Sequence, residues 1–198
     1  MRYFQKTQVT RLLATAAVAT CFAQLPAGAD ELTDLAAKIE ANLKSADWVT
    51  SVITAHEVLD QVWNKVPMGF SAVVLTTAEA SGFGVFNARE NNVFAPDEPI
   101  LIYAEPYGFG YGDVSAGIYQ IAFDVDMVVK SETGTVLAEL PDIMELSLNT
   151  RRRNKEFHAN ITYNLTGARP GKYILVKTLR DKNSPKSASF ETAIEVAQ

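Results

Sequence analysis

Residues 156–196 read EFHANITYNLTGARPGKYILVKTLRDKNSPKSASFETAIEV, and this stretch decides the fold class. In its first part Phe157, Ala159, Ile161, Tyr163 and Leu165 alternate with His158, Asn160, Thr162, Asn164 and Thr166. Successive side chains of a strand point to opposite faces, so this is the pattern of a strand buried on one side. Gly167 to Gly171, with Pro170 between, turns the chain. A more apolar strand runs from Tyr173 to Leu179, and Asp181 to Pro185 turns again. The last strand puts Ala188, Phe190, Thr192, Ile194 and Val196 on one face and Ser187, Ser189, Glu191 and Glu195 on the other.

Working back toward the N-terminus, the same texture continues. Strands are expected at Phe70–Thr77, Phe83–Asn87, Ile100–Glu105 and Tyr119–Lys130. Glu132-Thr133-Gly134 is a hairpin turn, and two further strands, Val136–Leu140 and Met144–Thr150, are separated by Pro141-Asp142. About eight or nine short strands with turns between them, and no helices interleaved, mean a sandwich or barrel. Before Phe70 the period changes. Leu32, Leu35, Ala36, Ile39 and Leu43 recur at helical steps. So do Trp48, Val52, Ala55, Leu59, Val62, Trp63 and Val66, with Ser45 or Asp47 as the cap between the two helices. The expected architecture is therefore mainly β: an Ig-like antiparallel β-sandwich over residues 68–198, preceded by a two-helix arm over residues 30–67. The helices of that arm either pack on the sandwich or on each other, or reach out to a partner or a second copy.

Residues 1–29 read as a signal peptide. Arg2, Lys6 and Arg11 precede an apolar run from Leu12 to Leu25, and Ala27-Gly28-Ala29 places small residues at a cleavage site. The run is too short and alanine-rich for a membrane span of about 20 residues. The expected location is the periplasm or cell exterior. A lipid anchor at Cys21, the sequence's one cysteine, is the lesser alternative, because Thr20 fits a lipoprotein box poorly. Removing three basic residues from 18 leaves 15 against 23 acids, a net charge of −8, and no cysteine. Disulfides and thiol chemistry are then excluded, and general nucleic-acid binding is disfavoured.

Gly171-Lys172-Tyr173 resembles the tyrosine corner of Greek-key sandwiches of the immunoglobulin and fibronectin type III kind. The runs Gly82–Phe86, Asn92–Pro99, Phe123–Asp126 and Gly171–Tyr173 resemble a group of functionally uncharacterised exported bacterial proteins with a C-terminal sandwich. That resemblance implies compartment and fold, and no activity.

Three constellations bear on chemistry. Glu105-Pro106-Tyr107-Gly108-Phe109-Gly110-Tyr111-Gly112 alternates aromatics with glycines in a loop. Tyr107, Phe109 and Tyr111 either offer flat apolar area to a glycan or protein, or fold back to plug the sandwich end. Arg151, Arg152 and Arg153, with Lys155 nearby, form a basic knot suited to a phosphate, an acidic glycan or an acidic partner. Otherwise they are a solvated turn. Asp124 and Asp126 share a strand face, which suits oxygen ligation or acid–base work, but two carboxylates are too few for a calcium site. His56 and His158 have no spacing that makes a zinc site, and no nucleophile elbow or phosphate loop is present. Asn160 and Asn164 match the glycosylation pattern but read as ordinary strand residues.

The preferred reading is a non-catalytic exported binding module for a protein or glycan. It needs no metal or cofactor, and its contact residues are Tyr107, Phe109 and Tyr111, with Arg151, Arg152 and Arg153 as a second patch. The alternatives are a small carboxylate-dependent hydrolase or carbohydrate-active enzyme using Asp124, Asp126 and Glu105, and a structural subunit assembling through its helices.

Overall fold

The computed structural model describes residues 27–198, with side chains from Glu31 onward. The expected leader, its cleavage signal and Cys21 lie outside the described residues or at their edge. Nine strands follow two helices. The helices are α1 (Ala27–Lys44) and α2 (Trp48–Lys65). The strands are β1 (Gly69–Thr76), β2 (Val93–Phe94), β3 (Ile100–Tyr107), β4 (Gly112–Ser115) and β5 (Ile118–Ser131). They continue with β6 (Val136–Thr150), β7 (Ala159–Tyr163), β8 (Gly171–Asp181) and β9 (Ser187–Val196).

The strands form an Ig-like sandwich. One sheet has three strands in the order β1-β3-β7. The other has six, in the order β2-β9-β8-β5-β4, with β6 also paired to β5. All pairings are antiparallel except the short β2–β9 pair. The inward phases are those the alternation named. Ala159 and Ile161 of β7 face Leu175 and Leu179 of β8 and Ile194 and Val196 of β9 across a core that also holds Ile121, Phe123 and Val125. Each such apolar side chain removed from water contributes about 1.5–3 kcal/mol. The tyrosine corner forms as expected: the Tyr173 hydroxyl donates to the Arg169 carbonyl at 2.6 Å.

Three expectations are corrected. Phe83–Asn87 makes only isolated bridges, Gly82 with Val85 and Thr76 with Ala88, and no strand. Val136–Thr150 is one strand rather than two, because a bulge lets it pass Pro141-Asp142 with Asp142 at φ 51°. The strand expected to start at Phe157 spans only Ala159–Tyr163.

The helical arm is a hairpin. Asp47 caps α2 by accepting from the Thr50 amide at 3.1 Å, as expected. Leu35 of α1 is buried, as are Ser51 and Thr54 of α2, and Gln61 donates to Glu31 at 2.7 Å across the pair. The hydroxyls of Ser51 and Thr54 are satisfied by the Asp47 and Thr50 carbonyls one turn back. So α2 packs its small polar face on α1. Its apolar stripe looks outward, and only its C-terminal end is seated on the sandwich. There Trp63 donates its indole N–H to the Phe109 carbonyl at 2.9 Å. The Lys186 ammonium donates to the Asn64, Val66 and Gly108 carbonyls at 3.3, 2.9 and 2.7 Å. Helix C-terminal carbonyls lack intrahelical partners and carry partial negative charge, so this cation closes the helix end. Among the described residues no helix is long and apolar enough to cross a membrane.

Candidate functional site

The aromatic loop after β3 folds back rather than standing in solvent. Phe109 is 1% exposed and sits edge-on to Trp63, Tyr111, Phe123 and Phe157, with ring centroids 5.0–6.1 Å apart. It plugs the end of the sandwich, the fold-back alternative named for these rings, and is closed to a ligand at this position. Burying a phenyl ring against four others is worth more than leaving it in water. Gly108 makes that plug possible. Its φ is +74°, and a Cβ there would lie 2.7 Å from the Pro67 carbonyl oxygen. The Gly110 amide is held at 2.6 Å by the buried carboxylate of Asp181. Tyr107 remains exposed at 37%. Tyr111 is half-buried, and its hydroxyl donates to the Asn154 carbonyl at 2.9 Å. Burial pushes that phenol above its ordinary pKa, Asp60 pushes the same way, and Arg153 opposes both.

That hydrogen bond joins the two patches that the sequence had kept apart. Asn154 belongs to the connection between β6 and β7, which carries Arg151, Arg152 and Arg153. The Arg153 guanidinium lies 5.3 Å from the Tyr119 ring centroid and 6.0 Å from that of Tyr111. Lys155 pairs with Asp60 of α2, and its ammonium stands 5.7 Å from the Trp63 ring. Between α2 and this connection opens a cleft of about 750 Å³, lined by His56, Leu59 and Asp60 on one side and residues 150–156 on the other. Arg151 and Arg152 are exposed at its lip, and neither side chain has a salt bridge among the described residues. The cleft thus has an apolar wall in Leu59, a matched ion pair in its depth and two unmatched guanidinia at its mouth.

Of the carboxylates named for catalysis, Asp124 and Asp126 both lie against Arg180, and Glu105 does not join them. Asp126 accepts from the Arg180 Nε at 2.8 Å. That hydrogen bond, followed by one from the Asp142 amide, holds its carboxyl below the usual range. Asp124 lies 3.5 Å from Lys182 and 3.9 Å from Arg180. Glu105 is on β3, in the other sheet, where the Tyr103 hydroxyl donates to it at 2.5 Å and the Ser71 hydroxyl at 2.9 Å. A general acid at neutral pH needs a raised carboxyl pKa, and Asp126 is shifted the other way. Among the described residues no group of three or more His, Cys, Asp or Glu side chains is placed to hold a metal ion. Asn160 is engaged on both sides of its amide, donating to the Ala80 carbonyl at 3.0 Å and accepting from the Ala80 amide at 2.9 Å.

Two features escaped the sequence. His56, Leu59 and Asp60 join the basic connection across about ninety residues, and no local pattern encodes that distance. Lys177 is 0% exposed inside the sandwich. Its signal was legible, because it stands in the phase of Leu175 and Leu179.

No family profile matches this chain, and no curated protein matches it. It is similar to the solved structure of Spo0M, a sporulation control protein from Bacillus subtilis, at 11% identity and a TM-score of 0.37. That match covers 67% of this chain and 50% of the other, so the chain spans about half the length of Spo0M. It is also similar to the CARDB domain of the PF1109 protein from Pyrococcus furiosus, solved in complex with di-metal ions. The identity is 13% and the TM-score 0.30, over 68% of this chain and 96% of that one.

Proposed function

We propose that this chain is an exported, non-catalytic binding module, and that it takes an acidic ligand in the cleft between α2 and residues 150–156. The observation that supports this reading is the pair of unmatched guanidinia, Arg151 and Arg152, at the mouth of a concavity with one apolar wall. Guanidinium presents a planar fork of donors that matches a carboxylate in two places. The surrounding protein is acidic, with 23 acids against 18 bases over the whole sequence. A ligand drawn to this lip is therefore repelled by much of the remaining surface, which confines its docking to the cleft. Leu59 and the aliphatic stems of the arginines supply apolar area beside the charge.

The experiment is titration calorimetry with two probes, a hexaglutamate peptide and a trigalacturonate, against the purified protein and its Arg151→Ser/Arg152→Ser variant. Both side chains are exposed, so the variant keeps the fold. The expected result is binding of at least one probe, weakened about tenfold or more per arginine removed, since hydrogen bonds to charged groups contribute about 1.5–3 kcal/mol each. Binding of neither probe, or equal binding by the variant, overturns the reading. Whichever probe binds identifies the partner as peptide or glycan.

A further inference from the structure

The apolar stripe of α2 has a spacing that its seat on the sandwich does not use. Trp48, Val52, Ala55, Leu59 and Val62 recur at steps of 4, 3, 4 and 3 residues. That is the seam of a coiled coil, in which apolar residues repeat every 3.5 residues so as to face a second helix. The second helix is not α1, which packs on the Ser51 and Thr54 side. The seam is open: Trp48 is 61% exposed, Val52 59%, Leu59 43% and Val62 42%, with Val49 and Ile53 beside it at 71% and 54%. A single amphipathic helix with its stripe in water gains nothing from the stripe, because helices in proteins draw most of their stability from burying that face.

The spacing also selects the occupant. From Val52 to Val62 the steps 3-4-3 read the same backwards, so this part of the seam is complementary to itself in the antiparallel direction. About a two-fold axis at residue 57, Val52 meets Val62 and Ala55 meets Leu59 of the other helix, with Trp48 at each end of the seam. Leu59 then falls opposite the smaller Ala55. A two-fold interface needs this reciprocity, with residue i on j and j on i. Size points the same way. From the exposures above, the open apolar face amounts to roughly 600 Å², the upper end of what a monomer leaves uncovered. Two such faces bury about 1,200 Å², where the range of specific, stable interfaces begins.

We propose that the α2 seam is a homodimer interface, in which a second copy of this chain pairs antiparallel about residue 57. The Arg151–Arg152 lip takes no part in the pairing.

Light scattering coupled to size exclusion, from roughly 1 to 100 µM where an interface of this area associates, is expected to give the dimer mass. Val52→Glu is expected to give the monomer with unchanged circular dichroism, since Val52 is exposed within the protomer. Register is tested by cross-linking in a Cys21→Ser background. Val52→Cys mixed with Val62→Cys is expected to form a disulfide-linked heterodimer, while Val52→Cys alone is not. A monomer throughout the range overturns the proposal. So does efficient 52-to-52 cross-linking, which means a parallel pair. So does a monomer that instead pelts down with phosphatidylglycerol vesicles through Trp48, which makes the seam a lipid-facing surface. The Arg151→Ser/Arg152→Ser variant is expected to remain a dimer, so failure of the acidic-ligand reading and failure of this one are separately visible.

Discussion

Replacing Lys177 by methionine is expected to stabilise the protein and to flatten its stability against pH. Lys177 lies on β8 between Leu175 and Leu179, 0% exposed, and its ammonium nitrogen has no hydrogen-bond partner among the described residues. Its nitrogen faces the Tyr163 ring, whose centroid is 3.8 Å away. Burial pulls its pKa from 10.5 down to about 6. The unfolded chain keeps the proton up to the ordinary value. Between the two values the unfolded state therefore binds more protons than the native state, and stability rises with pH by about 1.4 kcal/mol per unit. Above the unfolded value the group has no effect on folding. Below the folded value both states are protonated and the penalty is at its full size, about 6 kcal/mol. At neutral pH about 5 kcal/mol of it is present. The cation–π contact needs the charged amine, which the folded protein holds mainly below about pH 6, so it offsets little of this cost at neutral pH. The net cost at neutral pH is therefore about 5 kcal/mol.

Methionine is unbranched, similar in length and free of charge, so it fills the same slot. The Lys177→Met variant is expected to gain up to about 5 kcal/mol at neutral pH, or roughly 10–20 °C in Tm for a domain of this size. The assay is guanidinium unfolding followed by tryptophan fluorescence at several pH values from mildly acidic to strongly alkaline. Other groups titrate in both proteins, so the quantity to read is the difference between wild type and variant, which is expected to shrink as pH rises toward the lysine's ordinary pKa. A variant less stable than wild type at neutral pH, or a difference independent of pH, refutes the reasoning. Either result means that the ammonium is charged and satisfied inside the sandwich.

Two further substitutions address the frame around the cleft. Gly108→Ala forces a side chain into a left-handed backbone position beside the Pro67 carbonyl. It is expected to cost about 1–3 kcal/mol and to loosen the Trp63–Phe109 seat, seen as a lower Tm with red-shifted tryptophan emission. Tyr173→Phe removes the donor to the Arg169 carbonyl and is expected to cost about 0.5–1.5 kcal/mol in the same unfolding assay, with no effect on binding at the cleft.

Alternation in residues 156–196 was enough to place β7, β8 and β9 and to say which side chains enter the core, because a period of two assigns every residue to a face. The limits of that reading are equally physical. It passed over Lys177, although that residue stands in phase with Leu175 and Leu179, because lysine is almost never fully buried. It split β6 at Pro141 because proline breaks a ladder. Yet β6 pairs only with β5, so one of its edges is free, and a bulge there accommodates proline at little cost. For α2 the period identified the stripe correctly and said nothing about where it looks. The direction was set by Ser51 and Thr54, whose hydroxyls bond back to their own helix and so let α1 approach. The cleft was beyond sequence, because it is made where a helix passes a connection nearly a hundred residues away.

Leu59 belongs both to the wall of the cleft and to the α2 seam. A second copy lying on the seam therefore touches the same side chain that an acidic ligand touches. The rest of α2 is anchored at one end, by Trp63, Lys186 and the Asp60–Lys155 pair, while its N-terminal half has no seat on the sandwich. Pairing fixes that free half and with it the position of the Leu59 wall. Two binding events that share a wall are thermodynamically linked, and the linkage is reciprocal: whatever factor the ligand applies to the dimer constant, dimerisation applies to the ligand's affinity. The Val52→Glu monomer is therefore expected to bind the acidic probe with an affinity different from that of the dimer, by the same factor that saturating probe changes the dimerisation constant. Equal affinities in monomer and dimer mean that Leu59 keeps its place without a partner, and that cleft and seam are independent surfaces on one helix.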